Sequence, residues 1–182
     1  MQQEFETKVL DINVPEIIEK LEAIWATLKQ PEIAMRRRVF NIKEDDEKGQ
    51  GMRMRLRQIG NKTTLTYKER NGNDIWSTKE MEIWIENFED MEAMLLNLQW
   101  NKSLYQENKR SIYMLNDVEI CIDSRPKIPT YLEIEGPNVE SVKTVLQQLW
   151  LEGKDEGDIW VIETYRKYWL DLHSFKELKF EE

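Results

Sequence analysis

Hydrophobic and polar positions recur along this chain with two periods, two and about three and a half, and the segments carrying each alternate. Residues 3–12 alternate as a strand. Asn13 followed by Val14-Pro15 predicts a helix start, since an Asn side chain caps the first turn and Pro is tolerated in it. That helix carries Ile17, Leu21, Ile24, Trp25 and Leu28 on one face. Period-two segments at 34–43, 51–59, 62–70 and 77–86 predict four strands, with Gly60-Asn61 as a tight hairpin turn. Residues 88–98 predict a second helix with Met91, Met94, Leu95 and Leu98 inward. Strands follow at 102–114, 117–124 and 130–135, then helices at 138–151 and 160–172 around a Gly-containing loop at 153–157. The order is β-α-β-β-β-β-α-β-β-β-α-α. Short turns between consecutive strands favour an antiparallel sheet, and eight strands suffice to close a small barrel.

The 182 residues fit one domain, 1–182, with no repeat or Pro-rich linker dividing them. With 40 % hydrophobic residues and 7 Trp there is material for a buried core, which excludes a disordered chain. One cysteine, Cys121, excludes an intramolecular disulfide, and one histidine, His173, argues against a zinc site of His and Cys ligands. No apolar run approaches the roughly 20 residues of a membrane helix, and residues 1–4 do not resemble a signal peptide, so a cytoplasmic protein without membrane contact is expected. A net charge of −9 makes a duplex nucleic acid an improbable partner, because that affinity comes from clustered cations.

The placement of charge within the strands says more than its total. Side chains on a strand alternate between faces. Glu4, Glu6 and Lys8 therefore share one face of the first strand, opposite Phe5, Thr7 and Val9. Arg53, Arg55 and Arg57 oppose Met52, Met54 and Leu56; Glu80 and Glu82 oppose Met81, Ile83 and Ile85. Glu119, Cys121 and Asp123 oppose Val118, Ile120 and Ile122, while Tyr131, Glu133 and Glu135 oppose Leu132 and Ile134. Lys68 and Arg110 add cations on two further strands. An ordinary solvated sheet face accounts for any one strand. Rows of one sign are less ordinary, because like charges about 7 Å apart repel by about 2 kcal/mol at an effective dielectric of 20. Carboxylates in rows suit hard divalent cations, and arginines in rows suit phosphate oxygens. If the sheet curls with its charged face inward, one lumen collects both.

The motifs carrying those charges resemble the CYTH superfamily, the triphosphate tunnel metalloenzymes that include class IV adenylate cyclases and thiamine triphosphatases. Glu4-Phe5-Glu6-Thr7-Lys8 resembles its N-terminal Glu-x-Glu-x-Lys. Met52-Arg53-Met54-Arg55, Leu65-Thr66-Tyr67-Lys68, Lys79-Glu80-Met81-Glu82 and Lys109-Arg110-Ser111-Ile112-Tyr113 resemble its later strands in order. Val118-Glu119-Ile120-Cys121-Ile122-Asp123 and Tyr131-Leu132-Glu133-Ile134-Glu135-Gly136 complete a likeness over residues 4–136.

The resemblance implies an α+β fold, an eight-stranded antiparallel β-barrel or tunnel with helices packed on the outside. It implies a triphosphate-containing small molecule as partner and Mg²⁺ or Mn²⁺ as cofactor; a homodimer is left open. By position, Glu4, Glu6, Asp123, Glu133 and Glu135 would hold metal. Lys8, Arg53, Arg55, Lys68 and Arg110 would hold phosphates, with Arg57 continuing the row and Glu80 and Glu82 orienting the bases. Glu4, Glu6, Arg53, Arg55, Lys68 and Arg110 form the expected catalytic set. One departure is the second strand, where Arg37-Arg38-Val39-Phe40 replaces Asp-x-Tyr-Phe. Arg36 and Arg38 share a face there and are counted with the substrate ligands, although parity alone leaves open whether they or Arg37 point inward. The implied activity is metal-dependent hydrolysis of tripolyphosphate or of a nucleoside or thiamine triphosphate. The alternatives are cyclisation of ATP to cyclic AMP and pyrophosphate, and non-catalytic polyphosphate or nucleotide binding.

Overall fold

The computed structural model describes residues 2–3, 5–43, 50–71, 78–98 and 103–181. The strands are β1 (Gln2–Gln3), β2 (Phe5–Val9), β3 (Thr27–Lys43), β4 (Gln50–Ile59), β5 (Lys62–Asn71), β6 (Thr78–Ile85), β7 (Ser103–Leu115), β8 (Val118–Arg125), β9 (Ile128–Gly136) and β10 (Glu177–Leu178). The helices are α1 (Val14–Ala23), α2 (Phe88–Asn97), α3 (Val139–Gln148) and α4 (Val161–Lys167), with a 3₁₀ turn at Leu172–Ser174.

Along the sheet the order is β1-β6-β5-β4-β3-β7-β8-β9-β2, every pair antiparallel, with β10 added parallel to β7. Its two ends are both held by the N-terminal stretch. Gln2 and Gln3 pair with Glu80 and Lys79 on β6, whereas Phe5–Val9 pair with Gly136–Leu132 on β9. The eight-stranded antiparallel sheet is thereby curled into the expected α+β tunnel architecture. Gly60 takes φ +55° at the tight β4–β5 hairpin, where a left-handed conformation is needed.

The apolar faces point outward, beneath the helices. Val9, Ile120, Leu132 and Ile134 pack against Leu21 of α1 and Val142, Val145 and Leu146 of α3. Phe40, Leu56 and Leu65 pack against Phe88 and Leu95 of α2. Burial of each such side chain contributes about 1.5–3 kcal/mol, so these outer layers, and not the barrel interior, supply the hydrophobic stabilisation. Asn13, Asn87 and Asn138 each accept a hydrogen bond from the third residue of the helix they precede. A Cβ at Gly136 would lie 2.7 Å from Ser141 Oγ and 3.3 Å from methyl groups of Val118 and Val142, so α3 is seated closely on β9 there and a side chain would force Ser141 to shift.

Three helices end in the same unusual way. Trp25, Trp150 and Trp169 have φ of 62°, 53° and 61°, and each follows the last residue of α1, α3 or α4 by two positions. Their N–H groups bond the carbonyls of Glu22, Gln147 and Arg166, and the next residues' N–H groups bond Leu21, Leu146 and Tyr165, which is the Schellman pattern. Glycine normally fills that position. Trp169 here is 96 % exposed, so its indole contributes no burial to offset the strain. The same turn explains why the helix expected over 160–172 stops at Lys167: the chain turns left-handed at Trp169 and resumes as the 3₁₀ turn.

Candidate functional site

The alternation that buries the apolar faces outward sends the charged faces into the barrel. Glu6 and Lys8 of β2, Arg53 and Arg55 of β4, Lys68 of β5, Arg110 of β7 and Glu133 of β9 border one cavity of about 920 Å³. Arg37 of β3 and Arg125 of β8 border it too, and α4 and the C-terminal segment close over one side. Among the described residues lining it, nine are Lys or Arg and three are carboxylates, in a chain of net charge −9.

Some cations are held by acids. Lys8 Nζ lies 3.4 Å from Glu6 Oε1 and 3.3 Å from Glu133 Oε2. Arg110 bridges Asp123 and Glu133, the latter at 2.7 Å. Lys68 meets Glu80 at 3.1 Å and Arg57 meets Glu82 at 3.3 Å. Burial opposes ionisation of Glu6, but Lys8 and Lys68 outweigh it and bring its pKa down to about 2. Burial likewise works against Glu133, yet Arg110 and Lys8 hold it well below the usual carboxylate range. Both acids are anionic at neutral pH.

Other cations are poorly compensated. Burial, then Arg55, lowers Arg53 to about 10; Arg55, then burial, does the same to Arg57. Burial and the neighbouring Arg125 and Arg55 push Arg37 well down. Arg53 has no carboxylate partner among the described residues. Its guanidinium lies 3.8 Å from the centre of the Trp160 ring, which Arg70 also approaches, at 4.4 Å. Arg70 is pinned in turn by Glu163 at 2.7 Å and by the Asp158 carbonyl at 3.2 Å.

The placement of the other candidates is mixed. Glu4 lies outside the described residues. Asp123 is wholly buried behind the cavity wall, engaged by Arg110 and by Asn108 Nδ2 at 3.1 Å. Glu135 stands opposite Glu6 in the β2–β9 register, and burial and Glu6 raise its pKa to about 7. Glu80 and Glu82 lie beside the cations they bind. Arg36 and Arg38 share the face of Phe40, which is committed to the α2 core, yet they differ in placement: Arg36 lies off the cavity lining, whereas Arg38 reaches its edge. Arg36 bonds Gln58 and Glu89 over the Phe88 ring, and Arg38, although it borders the cavity, gives its guanidinium to Glu92. Arg37 is the inward residue, its Nη2 donating to Asn108 Oδ1.

Arg70, Arg125, Asp158 and Trp160 are additions to the expected set. Parity extended by one or two residues along β5 and β8 reaches Arg70 and Arg125. Asp158 and Trp160 come from a loop and a helix entry far along the chain, and no local pattern marks them. Asp158 is 1 % exposed, accepts from Thr78 Oγ1 at 2.7 Å, and is raised to about 7 by burial and by Glu6.

Glu6 and Glu133, two of the three carboxylates lining the cavity, fit a hard divalent ion. Among the described residues no group of three or more His, Cys, Asp or Glu forms a ready cage. An ion such as Mg²⁺ is usually held by one or two carboxylates together with water and substrate phosphates, which is the donor set Glu6 and Glu133 provide.

A family model, the CYTH domain, matches residues 2–158. No curated protein matches the chain. Among solved structures, a protein of Pyrococcus horikoshii superposes with a TM-score of 0.74 at 23 % identity, over 86 % of this chain and 96 % of its own. A candidate adenylate cyclase from Vibrio parahaemolyticus gives 0.66 at 17 % identity, over 87 % and 95 %. A candidate adenylyl cyclase from Hippeastrum, described as having a dominant triphosphatase activity, gives 0.55 at 15 % identity, over 92 % and 96 %. At these identities the likeness is one of fold.

Proposed function

The chain belongs to the CYTH domain family, and on that premise we propose that it is a divalent-cation-dependent hydrolase of triphosphate-bearing substrates held in the barrel cavity. The observation that carries this reading is the lining: nine cations against three carboxylates, with Arg37 and Arg53 depressed in pKa by burial and then by neighbouring arginines. Such crowding costs stability in the empty protein and is relieved by a polyanion. The conjunction of two ionised carboxylates with those cations supports a metal-complexed polyphosphate over a simple anion.

Phosphoryl transfer asks a protein chiefly to position the reactants and neutralise charge. Arg53 and Arg55, adjacent inward residues of β4, would grip successive phosphoryl groups, with Lys68 beside them on β5. Arg110, fixed by Asp123 and Glu133, would hold its remaining donors on a phosphate from the opposite wall. Glu6 and Glu133, joined by Glu4 from its sequence position, would hold Mg²⁺ or Mn²⁺, which supplies Lewis-acid polarisation of phosphate oxygens. Lys8, between those two acids, keeps them ionised. Preorganised cations of this kind stabilise the charge that develops on the transferred group and cost no reorganisation in the transition state. The residues 1–182 are taken as one functional domain, supported by the part α4 and the C-terminal segment have in walling the cavity.

The test is phosphate release from tripolyphosphate, ATP and thiamine triphosphate with Mg²⁺ or Mn²⁺. Metal-dependent release that falls at least about a hundredfold in Glu6→Gln is expected. Cyclic AMP and pyrophosphate as the only products from ATP would replace hydrolase by cyclase, and metal-free turnover would remove the acidic residues from the account.

A further inference from the structure

The cavity is chemically divided. The cations that face Glu6 and Glu133 sit on β2, β4, β5 and β7. The side closed by α4 and the 3₁₀ turn carries the cavity's apolar groups, Val39, Leu104, Trp160, Ile162, Leu172 and Phe175, with Arg38, Lys176 and Glu177 as its charged neighbours. Tyr165, Leu172 and Leu178 form the buried cluster that seats the C-terminal segment on the barrel. Leu104, Ile162 and Phe175 pack on that cluster yet remain partly exposed, as does Val39, and the space they border is the cavity itself. Apolar surface left open inside a pocket does nothing to fasten the segment. Beside a polyphosphate alone it would be unfavourable, because it offers the anion no hydrogen bonds.

Resting on the hydrolase reading above, we infer that Trp160–Phe175 builds an end-group compartment, so that the substrate is a triphosphate ester of a flat organic group and not inorganic tripolyphosphate. The volume supports this. About 920 Å³ lies near the top of the ~300–1,000 Å³ usual for organic ligands, far beyond the needs of three phosphates. Trp160 is the joint between the halves. Its ring carries Arg53 on the phosphate side, and its own residue opens the apolar wall. His173 and Ser174, on the 3₁₀ turn, add polar groups at the edge of the same wall, as an organic ligand's heteroatoms require. The family match ends at residue 158, so the Trp160–Phe175 part of this wall is contributed by chain beyond it, facing Val39 and Leu104 from within it.

Calorimetry in Mg²⁺ with two probes that cannot release a terminal phosphate tests the inference: β,γ-methylene-ATP, which carries an organic group, and bis(phosphonomethyl)phosphinate, the methylene analogue of tripolyphosphate, which does not. The ATP analogue should bind at least tenfold more tightly. In Phe175→Ala the ratio of the two affinities should fall about tenfold, and Ile162→Ala provides the same comparison if Phe175→Ala does not fold. Equal affinities, or a ratio unchanged in both variants, would overturn the compartment while leaving the hydrolase reading standing. Tight binding of the ATP analogue that is sensitive to Phe175, with no phosphate released from ATP, thiamine triphosphate or tripolyphosphate, would uphold the compartment and remove the hydrolase. Binding of neither probe would overturn both.

Discussion

Replacing Arg53 by Met should make the empty protein more stable and the enzyme far slower. The guanidinium is held at a pKa of about 10, against an ordinary 12.5, first by burial and then by Arg55. That difference corresponds to about 3 kcal/mol against the charged form at neutral pH, reduced by solvent entering the cavity. A base whose pKa is depressed by folding destabilises the native state at every pH below the depressed value, so the penalty is present in full at pH 7. Stacking on Trp160 returns about 1–2 kcal/mol. Met keeps most of the volume and the contact with the indole, and the net expectation is a gain of about 1 kcal/mol in urea unfolding at pH 7 and low salt. Phosphate release should meanwhile fall by about 10²–10³-fold, as for the loss of one preorganised charge stabiliser. A loss of 1 kcal/mol or more in stability would instead show that the Arg53 charge holds the barrel together. Unchanged turnover would remove Arg53 from the site.

Arg110→Ala should behave oppositely, costing about 3–5 kcal/mol because Asp123 is left buried without its cation. The double variant Arg110→Ala/Asp123→Ala should recover at least about 1 kcal/mol of that in denaturant unfolding, whereas strictly additive losses would contradict the pairing. Asp158, raised from 3.8 to about 7, favours the folded state most below pH 4, and that contribution is lost as pH climbs through 7. Glu6, lowered to about 2, acts in the other sense: its contribution is present above pH 4.5 and lost as pH falls toward 2. Thermal midpoints should therefore decline between pH 5 and 8, and Asp158→Asn should flatten that decline; an unchanged slope would show that another group titrates. Trp169→Gly should raise the midpoint by about 2–4 °C, corresponding to about 1 kcal/mol of relieved left-handed strain, and a fall would mean that the exposed indole makes a contact of its own.

Much of this arrangement is legible in the sequence because a barrel with a charged interior writes strict alternation into every strand. Arg53-Met54-Arg55-Leu56-Arg57 states both which residues turn inward and which carry the outer core, and the Asn caps fix where α1, α2 and α3 begin. β3 is less readable. Three consecutive arginines leave its parity undetermined until Phe40 is known to belong to the α2 core, and only then does Arg37 turn inward. The length of β3, from Thr27, is also hidden, since Pro31 and the register shifts against β7 break its alternation. Trp160, Asp158 and the C-terminal wall are illegible for another reason. They are brought to the barrel by contacts between residues distant in the chain, such as Thr78 with Asp158, Arg70 with Glu163 and Tyr105 with Glu177, and one sequence holds no local trace of them. The end of α4 fails to show because tryptophan occupies a position where glycine is the usual signal.

On the proposed function, a metal-complexed polyphosphate sits inside the barrel. A crystal structure with Mn²⁺ and β,γ-methylene-ATP tests it most directly, because manganese is located by its anomalous scattering. The expected result is manganese between Glu6, Glu133 and phosphate oxygens, with Arg53, Arg55, Lys68 and Arg110 on the remaining phosphate oxygens. A ligand bound on the outer surface, or phosphates in the cavity with manganese elsewhere, would contradict it.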